Sequence, residues 1–533
     1  RLARELPSTY EQTIPIVVRA PGRGGTHWTS DLWVYNPSST ATEVTVRRVV
    51  KPEVSKVVEL PAHGSMKIPD ALTWLGGGAG GDGVTHDAVV ITSPYRWGEQ
   101  LVAVSRVWTP SLDPGERSQG GTMGQAVPAV PGATGYSNHL RTAEDGTPRT
   151  EADMHTGKAA IWVLDHREPG RFRHNAGFVN DRDHEVTVSL WWGWSNAAVL
   201  PYTSEWPAGG ARQELALAPH SVTVVNLETL FPESVQRSYP AQLAVTGAYP
   251  VALWLSQVDN RTGDGIHVPY TLYWTSADAA SSVAIPAVAH LPGAVGTVWT
   301  SDLYLPAGEE YHLLGPIDEP DAAFIPAWPE RCGGVSPITA WLDGVPASDP
   351  AIKYAYWPLY WRSIFPDVVR LFPACAEESN VRGALEVRTA SWMAGYARTY
   401  TTRADGGTYG EMLPFYPPYG WPVQHFAGIE ISPRFRINLG LYNGNKDHAI
   451  VHRLTLYNEG GSKVAEKELT LQPRANLVER LEDLLGITRD SLPAGSYGLT
   501  VLPLDDAGAG VQGRSWAFVS VVDNVTGDPT NWW

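Results

Sequence analysis

Along much of this chain, apolar and polar residues alternate over short runs. In TEVTVRRVV (42–50), Val44 and Val46 fall on one face and Thr45 and Arg47 on the other. That period of two marks a strand with one buried and one wet side. QLVAVSRVW (100–108), PVALWLSQV (250–258), WMAGYARTY (392–400) and SWAFVSVV (515–522) are further runs of strand length, rich in Val, Ala and aromatic residues. Each follows another short strand behind a turn, in DAVVITSP, QLAVTGAYP, ALEVRTAS and YGLTVLP. Turn signals every 8–12 residues or about that complete the pattern of a sandwich.

The strands belong to a repeat. HWTSDLWVYNP, RFRHNAGFVND, VWTSDLYLPAG and RFRINLGLYNG open four copies of about 110–140 residues each. Further on, VVELPAHGSMKIPDALTWL (57–75), LALAPHSVTVVNLETLF (215–231) and LTLQPRANLVERLEDLLGI (469–487) read as strand, Pro turn, strand and one short helical turn. The third copy keeps only IFPDVVRLF (364–372) of this. Copies 1 and 3 carry W-T-S-D-L and end in GGTMGQAVP or GGTYGEMLP, whereas copies 2 and 4 carry F-R-x-N-x-G and end in VDNRTGDG or VDNVTGDP. The fold expected is therefore all-β: four tandem immunoglobulin-like β-sandwich domains, each with one short helix, in a duplicated two-domain unit (A-B-A-B). The expected boundaries are an N-terminal arm (1–12), domain 1 (13–130), a polar linker or insertion (131–158), domain 2 (159–282), domain 3 (283–418, with an insertion at about 306–363) and domain 4 (419–533).

The pattern W-T-S-D-L-x-x-x-N-P, a Leu-Pro turn with a short helix, then G-T-x-G-Q or D-N-x-T-G-D, resembles tandem β-sandwich repeats of exported bacterial proteins. The likeness runs from about residue 13 to the end, and that class brings no established activity with it. Copy 3 departs from it, with LPAGEEYHLLGP in place of the N-P turn.

Composition sharpens this in three places. A net charge of −16 gives no basic surface to release counterions from nucleic acid. No apolar run is long enough to span a bilayer as a helix. The two cysteines, Cys332 and Cys375, fall in one region and suit a single local disulfide in an exported protein. The start RLARELPSTYEQ, without Met, reads as a processed chain whose leader has been removed.

Candidate chemistry is sparse. Asp31 and Asp302 of the W-T-S-D-L strings are replaced by Asn175 and Asn438 in copies 2 and 4. An amide cannot transfer a proton but can accept the same backbone hydrogen bond, so these residues read as loop pins. Asp259, Asp264, Asp523 and Asp528 are weak calcium candidates, since they lack D-x-D-x-D spacing and sit among turn residues. GAGGDG (78–83) and GAGVQG (508–513) formally match a dinucleotide fingerprint but lead into strands rather than helices. No other cofactor is expected.

Tryptophan, at 22 residues, is the one excess. Trp357, Trp361, Trp421, Trp532 and Trp533 are the candidates for stacking on glycan rings or burying against a partner. The function expected is that of an extracellular or cell-surface protein, structural or adhesive and not enzymatic. Self-association through the N-terminal arm and the terminal NWW, into filaments or a surface layer, goes with it, as does contact with glycans or envelope proteins. A glycan-binding protein is the first rival. The second is a hydrolase sited in the domain 3 insertion, where Asp318, Glu319 and Asp321 lie near many aromatic residues.

Overall fold

The computed structural model describes residues 9–22, 25–78, 81–94, 99–131, 160–194, 211–232, 241–247, 251–269, 271–272, 281–293, 297–305, 321–326, 334–337, 364–372, 375–389, 395–416, 423–445, 447–488, 491–504 and 515–532. The chain is predominantly β, in several antiparallel sheets, and each sheet draws all its strands from one of four consecutive spans. We call these spans groups 1 to 4.

Group 1 holds β1 (Thr9–Pro21), β2 (His27–Tyr35), β3 (Thr42–Arg48), β4 (Ser55–Leu60), β5 (Ser65–Ile68), β6 (His86–Pro94), β7 (Val102–Pro110), β8 (Thr122–Pro128) and β9 (Val130–Pro131). Their order is β4-β3-β6-β1-β2-β7-β8, with β5 on β2 and β9 on β1. β1 serves both halves: its first part pairs with β6, and its last three residues pair with β2. The register shifts between Ile14 and Val17, around Pro15, which has no N–H to give the ladder.

Group 2 holds β10 (Ala160–Leu164), β11 (Phe172–Asn180), β12 (Val186–Trp194), β13 (Ala211–Leu217), β14 (Ser221–Asn226), β15 (Ala241–Gly247), β16 (Ala252–Asp259), β17 (Gly265–His267) and β18 (Thr271–Leu272). Its two sheets run β13-β12-β15-β10-β18 and β14-β11-β16-β17. Group 3 holds β19 (Ser281–Pro292), β20 (Val298–Tyr304), β21 (Asp321–Pro326), β22 (Gly334–Pro337), β23 (Ile364–Phe365), β24 (Val381–Thr389), β25 (Tyr396–Thr402) and β26 (Thr408–Pro414). It runs β22-β21-β24-β19-β20-β25-β26, with β23 on β20. Group 4 holds β27 (Gln424–Ile431), β28 (Phe435–Asn443), β29 (Ile450–Tyr457), β30 (Lys463–Leu471), β31 (Asn476–Arg480), β32 (Gly495–Leu504), β33 (Ser515–Asp523) and β34 (Pro529–Trp532). Its sheets run β27-β32-β29-β30 and β31-β28-β33-β34. Position for position, the four strand orders correspond.

Two expectations need correction. Residues 9–12, assigned to a free arm, belong to β1 and pair with β6 from Pro94 to Ile91. β6 continues past the core, and its backbone groups accept a partner whatever that partner's side chains are. The stretch 306–363 is not simply an insertion. Within it, β21 and β22 pair in the places that β3 and β4 hold in group 1, and β21 docks on β24. The break in the N-P motif concealed strands whose pairing is made by backbone. The linker expected at 131–158 lies outside the described residues, apart from Pro131.

Inward faces form the cores. Val44 and Val46 are fully buried, as the alternation in β3 requires. Short helices follow the fifth strand of groups 1, 2 and 4: α1 (Ala71–Trp74), α3 (Leu227–Leu230) and α4 (Leu481–Leu485). A 3-10 turn (Val368–Leu371) takes that place in group 3, and group 1 adds α2 (Pro114–Ser118).

The cores also cross between groups. Trp33, Tyr35 and Val104 of group 1 pack into the group 4 core, and Tyr304, Tyr396 and Met412 of group 3 into the group 2 core. Val179, Val222 and Trp254 of group 2 join Ile16, Val49 and Val90 of group 1, while Phe518 of group 4 joins the group 3 core. The contacts run 1–2–3–4–1 and close a ring, and β8, β17, β26 and β34 meet at its centre.

Candidate functional site

The hairpins at the ring centre carry the four aspartates, all fully buried. Asp259 closes its own turn with one carboxylate oxygen, which accepts the Arg261 N–H at 2.8 Å. The other oxygen leaves the group, accepting the Thr408 N–H at 2.9 Å and the Thr408 hydroxyl at 2.7 Å. Asp523 repeats the arrangement on group 1. Its Oδ1 accepts the Val525 N–H at 2.8 Å, and its Oδ2 accepts the Thr122 N–H at 3.0 Å and the Thr122 hydroxyl at 2.7 Å.

The second aspartate of each hairpin follows. Asp264 accepts the Gly410 N–H at 3.2 Å and Asp528 the Gly124 N–H at 2.9 Å. The hairpin threonines complete the joint, Thr262 donating to the Thr408 carbonyl at 3.0 Å and Thr526 to the Thr122 carbonyl at 2.9 Å. D-N-x-T-G-D and G-G-T-x-G are thus two halves of one joint, made twice: group 4 on group 1, and group 2 on group 3.

Gly121 and Gly407 make room for this approach, since an added Cβ would stand 2.9 Å from Thr526 Cγ2 and 2.6 Å from Thr262 Cγ2, while Gly124 and Gly410 keep each receiving strand tight against its own sheet. A Cβ at Gly124 would overlap the Val107 carbonyl oxygen, and one at Gly410 would stand 2.7 Å from Tyr400 Cβ. Buried Arg106 and Arg398 donate to the Thr122 and Thr408 hydroxyls at 3.2 and 2.6 Å. Their guanidiniums lie 5.2 and 4.9 Å over Phe435 and Phe172 of the neighbouring group. Arg171 and Arg434 stand 3.1 and 3.5 Å from Asp259 and Asp523. N–H, O–H and guanidinium donors occupy Asp259 and Asp523. Although Asp264 Oδ1 and Asp528 Oδ1 accept no hydrogen bond among the described residues, the charges of Arg398 and Arg106 act on them, a poor setting for calcium.

On the axis between the two joints, the Asp264 and Asp528 carboxyls act on one another electrostatically. Burial pushes Asp264 up to about 7, against the pull of Arg398, and burial with the Asp264 charge raises Asp528 well above the usual carboxylate range. Two buried carboxyls so placed cannot both ionise, so the pair holds a proton.

The W-T-S-D-L aspartates flank the hub. Asp31 accepts the Asp70 N–H at 3.0 Å, and Asp302 the Asp367 N–H at 3.0 Å, each at the residue that starts the short helix. Asp70 and Asp367 both have left-handed backbone (φ 46° and 48°), so each is held by the carboxylate behind it. Asn175 differs: its Oδ1 faces the Asn226 side-chain amide at 3.5 Å in place of a backbone N–H.

The second oxygen of each aspartate meets a cation shared with the next group. Lys67 lies 3.4 Å from Asp31 and 2.8 Å from Glu430; Arg167 lies 2.6 Å from Asp302 and 2.7 Å from Asp165. Between groups 1 and 4 this leaves a small cleft lined by Asp31, Trp33, Lys67, Trp108, Glu430 and Arg434 among others.

No known family model matches the chain, and no curated protein matches it.

Trp357, Trp361, Trp421, Trp533 and Cys332 lie outside the described residues, as do Asp318 and Glu319. Asp321 starts β21, and its side chain is outside the description too. Trp532 ends β34, opposite Val519, where only its backbone is described. Cys375 is fully buried in the group 3 core. Of the described tryptophans, Trp33, Trp162, Trp192, Trp254 and Trp516 are buried.

Sequence reasoning did not anticipate Arg106, Arg398, the shared cations or the Trp33–Trp108 cleft. One signal was available. Two motif classes confined to alternating copies are what complementary halves of a joint look like in sequence.

Proposed function

We propose that this chain is a non-enzymatic structural or adhesive component of a cell exterior, built as four immunoglobulin-like sandwiches in an A-B-A-B order and locked into a rigid ring. One observation carries the proposal: the carboxylates that recur with the repeat are consumed by contacts between groups, in matching pairs, rather than directed at a substrate. Sandwich-like sheets in four corresponding strand orders support the domain count. The expected disulfide and the exported location belong to this proposal and rest on sequence. Electron microscopy of the native full chain tests it. Compact four-lobed particles, with no polysaccharide turned over by the same preparation, are expected. Strings of separated beads, or hydrolysis abolished by Asp31→Asn, would defeat it.

A second function is favoured by the cleft between groups 1 and 4. Trp108, half-buried beside Asp31, Lys67 and Glu430, offers an apolar ring with hydrogen-bonding groups around it, the chemistry that holds a sugar. Glycan-array binding that falls with Trp108→Ala is the expected sign, and equal binding by that variant removes it.

A further inference from the structure

Group 2 contains three side chains that its sister, group 4, does not match. His174 follows Phe172 by two residues in β11; Ile437 follows Phe435 by two in β28. His166 lies two residues beyond Leu164, the end of β10, where Ile431 lies two beyond Ile429 in β27. Opposite His174 stands Gln257, and opposite Ile437 stands Val521. Glu228 and Glu482 are each the second residue of the short helix. Group 4 therefore builds the same fold with an apolar cluster where group 2 buries two imidazoles and an amide. Their exposures are 3 % for His166 and 0 % for His174. Burying polar groups without full hydrogen bonding is costly, so the fold alone does not call for them.

Their nitrogen and carboxylate atoms converge. His174 Nδ1 is 2.8 Å from Glu228 Oε1, His166 Nε2 is 3.9 Å from the same oxygen, and all three atoms lie within 4.8 Å of one another. His166 Nε2 has no hydrogen-bond partner among the described residues. We propose that His166 Nε2, His174 Nδ1 and Glu228 Oε1 bind a divalent transition-metal ion of the zinc class, which staples β11 and the short helix α3 to the end of β10.

Tetrahedral ligation at about 2.0–2.2 Å sets donors about 3.4 Å apart, so His174 and Glu228 stand close to that spacing and the His166 ring must swing toward His174 by about 1.4 Å on binding. Two histidines and one carboxylate are a recurrent zinc donor set, and they leave a fourth position for water. The outer shell is in place. Gln257 Oε1 lies 3.1 Å from His174 Nε2, and Asn226 donates to Glu228 Oε2 at 2.8 Å. Trp192 stands edge-on to His166 at 5.1 Å and keeps that side apolar. Glu228 is the partly open member, its side chain 17 % exposed, and gives the ion its way in. A metal on His174 Nδ1 leaves that ring's proton on Nε2, where Gln257 Oε1 accepts it.

The test uses the full chain, stripped with a chelator and dialysed against zinc or cobalt(II). One ion per chain is expected by elemental mass spectrometry, with the visible absorption of four-coordinate cobalt. His166→Ile with His174→Ile installs the residues of group 4, so it should fold, melt as cooperatively as the parent and hold no ion. His184→Gln, at an exposed histidine, should bind as the parent does. Gln257→Leu, which disturbs only the positioning of His174, should weaken binding about 10–100-fold. A native chain that retains no zinc, or a double variant that retains as much as the parent, overturns the proposal. If the double variant fails to fold, His166→Gln decides, because undiminished affinity in it is equally fatal.

Discussion

The two joints of the ring are the same device with different fittings. Group 4 docks on group 1 and group 2 on group 3 through identical motif residues, with matching distances to Thr122 and Thr408. What differs is the flank. At one joint the shared cation is Lys67, supplied by group 1; at the other it is Arg167, supplied by group 2, and Asp165 also accepts the Tyr304 hydroxyl at 3.1 Å. The fixed quantity is one positive charge between two carboxylates, one from each group. Its chemical identity and its donor group changed after duplication, whereas the aspartate–threonine bonds did not. That contrast ranks the contacts: those that cannot be supplied from elsewhere should cost most to remove.

The largest effect is expected from Asp259→Ala and Asp523→Ala. Each strands a threonine N–H and hydroxyl beside an arginine in a buried joint, and removing one member of such a set costs about 3–5 kcal/mol. Denaturant unfolding should show this, with a larger sedimentation radius as the ring opens. Asp259→Ala should lose more, because Arg171 lies closer to its carboxylate than Arg434 does to Asp523. A variant with unchanged stability and radius would mean that the joint does not hold the ring.

Next come the glycines. Gly124→Ala drives a methyl into backbone, which cannot yield as a side chain would, and about 1–3 kcal/mol is expected. Gly410→Ala also meets backbone, with Thr399 O at 2.8 Å, and belongs in the same range. Gly25→Ala is the control for backbone conformation without contact: φ is 77° there, and nothing lies within 4 Å of the added carbon. Equal losses at all three sites would show that glycine flexibility, not close approach, is being measured.

The flank should respond less, and unequally. Arg167→Met leaves Asp165 and Asp302 facing each other without a cation, both almost wholly buried, for about 2 kcal/mol. Lys67→Met costs under about 1 kcal/mol, since Lys67 and Glu430 are partly solvated. Thermal unfolding in low and high salt separates them, because only the Lys67 contribution should fade with salt.

These contrasts also mark what sequence could disclose. Strand alternation in TEVTVRRVV and the order of the landmarks were enough for an all-β chain of repeated units. Both come from local side-chain patterning, which one strand displays by itself. β21 and β22 escaped notice because their pairing is backbone to backbone, in a stretch where the copied side chains are gone. The D-N-x-T-G-D aspartates looked like turn residues, and they are: Asp259 closes its turn with Arg261. Their second role sits on the other oxygen, which bonds a residue 149 positions away. No spacing rule within one hairpin contains that partner. His166, His174 and Glu228 were missed for the same reason, since they come together from two strand ends and a helix.

The smallest effect tests the axis between the joints. Asp264 is pushed up to about 7 and Asp528 well above its ordinary value, both first by burial, so the folded pair keeps a proton that the unfolded chain has lost above its carboxylate pKa near 3.8. Folding then binds a proton, and the stability it contributes is whole below 3.8 and declines as pH rises through about 7. Glu411, also pushed up to about 7 by burial, adds to this slope. Buried His267, His425 and His452, each held near 4 by burial, slope the other way, but only below their unfolded pKa of about 6.5. The clean window is thus from about pH 6.5 to 8. There the native chain should lose stability with a slope of no more than about 1.4 kcal/mol per pH unit for each of the two protons, one on the aspartate pair and one on Glu411. Asp528→Asn keeps the size and one hydrogen-bonding oxygen but removes the shared proton, and Asp264 then faces a neutral amide beside Arg106 and Arg398. Its slope should be shallower, with Glu411 left as the remaining contributor. Chemical unfolding at three pH values across the window measures this, and parallel lines for the two chains would mean that the carboxyls on the axis do not share a proton.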